Sequence, residues 1–414
     1  MGSKGRLAAI LAVGAIVAGV AVTAAVGAHQ ATPGVTATTI KIGGTFPITG
    51  VASLYKTIPA AEKAYYDYVN AHGGVKGRKI DFEILDDSYD PSKTVPLAQQ
   101  LVEKDKVFAV VGSLGTAPTL ATWGYMNRHK VPQVLVATGD SYWGFSRKRY
   151  PWTIGWQPDY PGESKLYGRY LKANMPNAKI GVLYQSDAFG KNYLAGLKVG
   201  LGNKKGNIVD AESYDATNPT VTQQILSMKS KGADVLVIFA TPTPAITALV
   251  TATKVGWSRN ATFVGNVSGN RIFMLAAARG GADLAGVVSS TYISSATAQP
   301  NSPGIKLAKQ IIDQYAPALS ASFAAGDTNI VYGLGVAWTF VYALQHSGKN
   351  PTRASLMRAL HSLNTSRNPF VYPGVKLKTS LRDNFPIEQD ILIKWTGGAT
   401  GDWQPSGKLL GGIR

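Results

Sequence analysis

Apolar residues fall into two alternating periods along most of this chain. Ile40–Phe46 reads as a strand, and Ala61, Ala64, Tyr65, Tyr68 and Val69 then recur at the spacing of a helix that Gly73-Gly74 stops. Within that helix Tyr65 and Tyr68 are expected in the core and Tyr66 at the surface. Ile80, Phe82 and Ile84 alternate as in a strand. Asp90-Pro91-Ser92 has the chemistry of a helix start: a capping carboxylate, then a proline in the first turn, where its missing N–H costs nothing. A helix over Lys93–Lys104, a strand over Val107–Val111, a helix over Thr116–Asn127 and a strand over Val134–Val136 follow.

The alternation resumes further on. Lys179–Tyr184, Ala233–Phe239, Thr262–Gly265 and Gly286–Tyr292 read as strands, and Glu163–Ala173, Tyr193–Leu201, Val221–Lys231 and Ala245–Val255 as helices. Between the two runs, from Tyr142 to Tyr160, lies an aromatic stretch without such alternation, which reads as a crossing between domains. Strands alternating with helices predict an α/β fold with parallel sheets covered on both faces.

Two strand-to-helix junctions carry candidate chemistry. Val110-Val-Gly-Ser113-Leu-Gly-Thr116 runs from a strand into a helix start, and Val136-Ala137-Thr138-Gly139-Asp140 repeats the arrangement one strand later. In open α/β sheets ligands bind at the carboxyl ends of strands. Free N–H groups at a helix start attract anions, and the Ser113, Thr116 and Thr138 hydroxyls add donors. The two loops side by side would hold a carboxylate; equally, they could be ordinary capped turns.

Composition narrows the function. The 414 residues are 45% hydrophobic, enough for two domains with cores, and contain no cysteine, which excludes disulfides, thiolate metal sites and Cys nucleophiles. Net charge is +18, but the short basic runs at 76–79, 147–149 and 204–205 are far apart, so nucleic-acid binding is not expected. Lys4 and Arg6 precede an apolar run from Leu7 to Val26, and Val26-Gly27-Ala28 resembles a small-residue cleavage site. Residues 1–28 therefore read as a signal peptide, with an uncleaved anchor as the alternative, and 29–37 as a flexible leader. The protein is expected outside the cytoplasm.

Catalytic and metal chemistry are not expected. The five histidines are dispersed, no Gly-x-Ser-x-Gly elbow occurs, and Gly200-Leu-Gly202 follows a helix rather than a strand, so it reads as a helix end. Asp86, Asp87 and Asp90 could suggest calcium, but a helix cap and a strand end explain them.

Several segments together resemble the type I periplasmic binding proteins, in the leucine/isoleucine/valine-binding group. These are Ile40-Lys-Ile-Gly-Gly-Thr-Phe-Pro-Ile-Thr-Gly50, Tyr68-Val-Asn-Ala-His-Gly-Gly-Val-Lys-Gly-Arg78, Asp86-Asp-Ser-Tyr-Asp-Pro91, Val107-Phe-Ala-Val-Val-Gly112 and Tyr184-Gln-Ser-Asp-Ala-Phe-Gly190. The resemblance implies two Rossmann-like lobes with parallel sheets, joined by three hinge crossings near Trp156, Tyr292 and Thr379. The first lobe would be 38–156 plus 292–378 and the second 157–291 plus 379–414, including strands around Ile391–Trp395. It implies a monomeric receptor that traps a small carboxylate ligand and serves the membrane permease of an ABC importer, without a cofactor. A sensor of the same fold, reporting to a partner, is the alternative.

The resemblance also carries over residue by residue. Thr116 falls where the family has a serine that donates to the ligand carboxylate, and Ala137, Thr138 and Gly139 fall on the second carboxylate loop. Tyr55 matches an aromatic of the first loop and Phe189 an aromatic wall in the second lobe, while Trp156 and Tyr160 sit where the chain enters that lobe. Two positions depart: Pro242 stands near a family tyrosine, and Phe263-Val-Gly-Asn266-Val-Ser268 lacks the acid that clamps an amino-acid ammonium. A ligand that bears a carboxylate but need not be an α-amino acid is expected, because a buried ammonium without a carboxylate is costly.

Overall fold

The computed structural model describes Met1 and residues 32–145, 148–380 and 383–412. The expected export segment over 1–28 and the first three residues of the leader lie outside these, Met1 aside. Residues 32–37, expected as part of a flexible leader, instead pack on the fold. Lys41 N–H donates to the Gly34 carbonyl (2.7 Å), and Arg78 Nε to that of Thr36 (2.8 Å).

The first sheet has five parallel strands: β1 (Thr39–Phe46), β2 (Lys79–Asp86), β3 (Ala109–Val111), β4 (Gln133–Val136) and β5 (Thr153–Gly155), in the order β2-β1-β3-β4-β5. Between them run α1 (Thr57–Ala71), α2 (Pro91–Gln99), α3 (Thr116–Arg128) and the short α4 (Tyr142–Phe145). Asp90 caps α2 by accepting from Ser92 N–H, as its sequence suggested. Strand β5 lies inside the aromatic stretch, where three residues are too few to show a period. Tyr66 is buried rather than exposed, its ring edge-on to Phe82 and Phe340.

The second sheet holds β6 (Ile180–Gln185), β7 (Ile208–Tyr214), β8 (Val235–Phe239), β9 (Ala261–Val264) and β10 (Val288–Thr291). They are parallel, in the order β10-β9-β8-β6-β7. Around it lie α5 (Tyr160–Asn174), α6 (Ala188–Leu201), α7 (Thr222–Ser230), α8 (Pro242–Lys254) and α9 (Arg271–Arg279). Helix α6 begins five residues before its apolar period shows, because Asp187 caps it by accepting from Gly190 N–H.

The chain then returns to the first lobe as α10 (Pro303–Tyr315), α11 (Ser320–Ala324), α12 (Thr328–Gln345) and α13 (Arg353–Leu360), followed by the pair β11 (Asn364–Thr365) and β12 (Leu377–Lys378). It ends on the second sheet with β13 (Gln389–Thr396), antiparallel to β10, and with β14 (Asp402–Pro405) and β15 (Leu410–Gly411), both pairing with β13. Three passages therefore join the two lobes: after β5, after β10, and between β12 and β13. No described helix is long and apolar enough to cross a membrane.

Helices α5 and α6 pack backbone against backbone through glycines. A β-carbon at Gly168 would lie 2.5 Å from the Leu197 carbonyl oxygen, and one at Gly200 2.3 Å from that of Lys165. Gly168→Ala must push the helices apart and is expected to lower stability by about 1–3 kcal/mol. The readout is a lower urea midpoint at unchanged slope; an unchanged midpoint would contradict the packing.

Candidate functional site

The carboxyl ends of the two sheets face each other across a cleft of ≈ 1070 Å³, counting its part open to solvent. Of the residues singled out from sequence, Tyr55, Ala137, Tyr160, Phe189 and Asn266 line it. Ser113, Thr116, Thr138, Gly139, Trp156 and Pro242 are not in its lining.

The first-lobe loops explain that division. Gly112 and Gly115 have φ of +70° and +108°, a backbone that lets β3 turn sharply into α3. The end of β1 and the loops after β3 and β4 then bond to one another. Leu114 N–H donates to the Thr45 carbonyl (3.0 Å), Gly115 N–H to that of Ala137 (3.3 Å), and Ala137 N–H to that of Ser113 (2.9 Å). The Ser113 hydroxyl accepts from Thr45 N–H at 3.0 Å, which ties it to β1. Thr116 and Thr138 are buried with their hydroxyl oxygens 2.6 Å apart.

Tyr160, the first residue of α5, reaches into this corner from the other lobe. Its N–H donates to the Gly139 carbonyl (2.8 Å), and its hydroxyl, pushed up to about 12 by burial, lies near Thr138, the Gly139 N–H and Thr116. A β-carbon at Gly139 would lie 2.8 Å from the Tyr160 ring, so a glycine is needed beneath it. The ring stacks on Tyr193 at 4.5 Å and meets Phe189 edge-on at 5.0 Å. Trp156 is fully buried just before it, its Nε1 donating to Thr339 Oγ1 (2.9 Å) and its ring edge-on to Tyr332. It braces the passage between lobes. Pro242 is buried in the first turn of α8.

Hydrogen bonds hold the cleft closed. The Tyr55 hydroxyl donates to the Val267 carbonyl (3.0 Å), Asn192 Nδ2 to Asp140 Oδ2 (3.1 Å), Asn270 Nδ2 to Asp327 Oδ1 (2.7 Å), and Arg271 Nη1 to the Ala325 carbonyl (2.7 Å). Each joins one lobe to the other.

Sequence reasoning missed Tyr89, Gln157, Tyr292 and Tyr332 in the lining. Tyr89 sits at φ +64° in the acidic turn, a strained position for a tyrosine. Tyr332 comes from α12, whose apolar surface is unbroken and whose amphipathic signal is correspondingly weak. The three aspartates considered for calcium hold their own turn instead. Asp86 accepts from Ile48 and Ser88 N–H, Asp87 from Tyr89 N–H, and Asp90 from Ser92.

Arg271 is the one formally charged side chain in the lining among the described residues, and it is occupied by the Ala325 and Gly401 carbonyls and by Asp402. Asp159 and Asp187, the acids near Tyr160 and Phe189 in sequence, are not in the lining.

A family model described as a periplasmic binding protein matches residues 39–399. A Leu/Ile/Val-binding protein homolog of Brucella melitensis is 26% identical over 48% of this chain and 53% of its own length. The chain thus spans about half the length of that relative. Among solved structures, a branched-chain amino acid ABC transporter protein from Thermus thermophilus with bound valine superposes with TM-score 0.78 at 17% identity, covering 90% of this chain and 96% of that one. A solute-binding protein of Rhodopseudomonas palustris in complex with 3,4-dihydroxybenzoic acid gives 0.75 at 21% identity, covering 91% and 98%. At these identities the structures establish a shared fold.

Buried carboxyls behind the cleft set a pH dependence. Glu163 accepts from the Tyr167 and Tyr193 hydroxyls (each 2.6 Å) and from Asn266 N–H (2.8 Å). Burial pushes its carboxyl up to about 7, against those hydrogen bonds. Burial pushes Asp390 and Glu62 well above their ordinary values, and neither Glu62 oxygen has a hydrogen-bond partner among the described residues. Asp87 and Asp140 are raised to about 6, again by burial. An acid that holds its proton more tightly when folded stabilises the fold fully below its unfolded value, and that stability is lost as pH rises through the folded value. The melting temperature is therefore expected to fall from pH 5 to pH 8, and Glu163→Gln to flatten that fall. A melting temperature that rises over this range would contradict it.

Proposed function

We propose that this chain, which belongs to the periplasmic binding protein family, is an extracytoplasmic receptor that encloses a small carboxylate-bearing solute between its lobes and presents it to the permease of an ABC importer. The observation that carries this reading is the cleft itself. It lies at the carboxyl ends of both sheets, is walled by Tyr55, Tyr160 and Phe189, and is closed by hydrogen bonds from lobe to lobe. A solute held there contacts both lobes at once and favours the closed arrangement by its differential affinity.

The passages near Trp156, Tyr292 and Thr379 serve as the hinge, dividing 38–156 plus 292–378 from 157–291 plus 379–414. The expected export segment at 1–28 delivers the protein across the membrane, where it acts as a monomer. The cleft chemistry favours a ligand with an apolar or flat body and no ammonium, because no carboxylate stands among the described lining residues. Of the two ligands named in the related structures, the aromatic acid fits this description better than valine.

Thermal-shift titration with leucine, valine, 4-methylpentanoate and benzoate tests the reading. A ligand at a hundred times its Kd adds about 2.7 kcal/mol to stability, so at least one acid is expected to raise the melting temperature. No shift with any of the four would contradict the proposal. Tyr55→Phe, which removes the bond to Val267, is expected to weaken the bound acid about threefold to tenfold; unchanged affinity would contradict a role for that bond in closure.

A further inference from the structure

Several donors of the first-lobe loops already have partners. The Leu114, Gly115 and Ala137 N–H groups bond within the loops, and the Ser113 hydroxyl is held by Thr45. The Thr116 and Thr138 hydroxyls, 2.6 Å apart, and the Gly139 N–H lie near the hydroxyl of Tyr160. That phenol is 4% exposed, and two aromatic contacts hold its ring in place. A ligand head group entering this corner would meet the Tyr160 phenol.

Two other donors in the lining are differently placed. Gln157 Nε2 and Asn266 Nδ2 are buried with no hydrogen-bond partner among the described residues, and both residues line the cleft. Gln157 is 6% exposed, and its Oε1 accepts from the Tyr332 hydroxyl at 3.1 Å, with Nε2 at the other end of the amide. The Asn266 backbone is held by its N–H, which donates to Glu163 Oε1 at 2.8 Å. A buried N–H without an acceptor is destabilising, and a ligand oxygen placed against it would recover that loss.

We propose that Gln157 and Asn266 are the specificity-determining pair of the cleft, their amide N–H groups taking the ligand's carboxylate oxygens while Tyr160 keeps the head group out of the first-lobe loops. This rests on the receptor reading above and names its ligand class: an organic acid without an ammonium. Neutral amides accept an anion with no countercharge of their own, and an ammonium beside them would meet no carboxylate among the described lining residues.

The test is calorimetric titration of the purified protein with 4-methylpentanoate, benzoate and leucine. The first and last differ by an ammonium. Wild type is expected to bind at least one of the two acids tenfold or more tighter than leucine. Gln157→Glu keeps the acceptor for Tyr332 but turns the free donor into an acceptor, and Asn266→Ala removes the second donor. Each is expected to weaken acid binding tenfold or more, with Thr116→Val changing it less than threefold. Should Gln157→Glu fail to fold, as judged by circular dichroism, Asn266→Ala decides alone. If Thr116→Val costs tenfold while the amide variants stay within threefold, the head group sits in the first-lobe loops. The pair is then overturned and the receptor reading stands. Leucine binding as tightly as the acids also overturns the pair. If none of the three probes binds, the carboxylate-receptor reading itself fails, and the pair with it.

Discussion

A parallel sheet ends in a row of loops whose backbone donors still need acceptors, and the first lobe meets that need from the second. The end of β1 and the loops after β3 and β4 bond to one another, and Tyr160 donates its N–H to the Gly139 carbonyl of the last loop with its phenol near Thr116 and Thr138. Because Tyr160 opens α5 and stacks on Tyr193 of α6, that contact fixes how the second lobe's helices stand against the first lobe's loops. Much of the cleft's geometry follows from it: Gly139 must be small, Phe189 is aligned edge-on, and Ala137 is left to face the cavity.

The electrostatics follow the same division between wall and interior. The chain carries +18, yet within the described residues its cleft has one charged lining group, already engaged by carbonyls and a carboxylate. The acids of the second lobe sit behind the wall. Glu163 lies under Asn266 and the Tyr167–Tyr193 pair, and Asp390 under Ser290. Specificity in such a cleft falls to neutral hydrogen-bond donors, whose worth lies chiefly in the penalty for leaving them unmet.

Much of this fold was legible where local chemistry agreed with the final structure. The strand at Ile40–Phe46, the stop at Gly73-Gly74 and the cap at Asp90 needed no partner from elsewhere in the chain. Helix α12 was not legible, because it is buried along nearly its whole surface and shows little amphipathic contrast. Strands β5 and β7 were missed for different reasons: one is too short, and the other places Asp210 and Glu212 on its inward positions and Val209 and Ala211 outward, which hides the apolar alternation. At the site, five of the eleven residues singled out reached the lining. Thr116, Thr138 and Gly139 were recognised as donors, but whether such a donor group meets a ligand or a side chain depends on what the other lobe brings. Gln157 carried no signal, since its fixed amide depends on Tyr332, 175 residues away.

The most direct measurement is a crystal structure of the protein with 4-methylpentanoate or benzoate bound. A carboxylate within about 3.2 Å of Gln157 Nε2 and Asn266 Nδ2, with Tyr160 still seated against Thr116 and Thr138, is the expected result. A carboxylate on Thr116 and Gly139, with Tyr160 swung out of its stack, would contradict it.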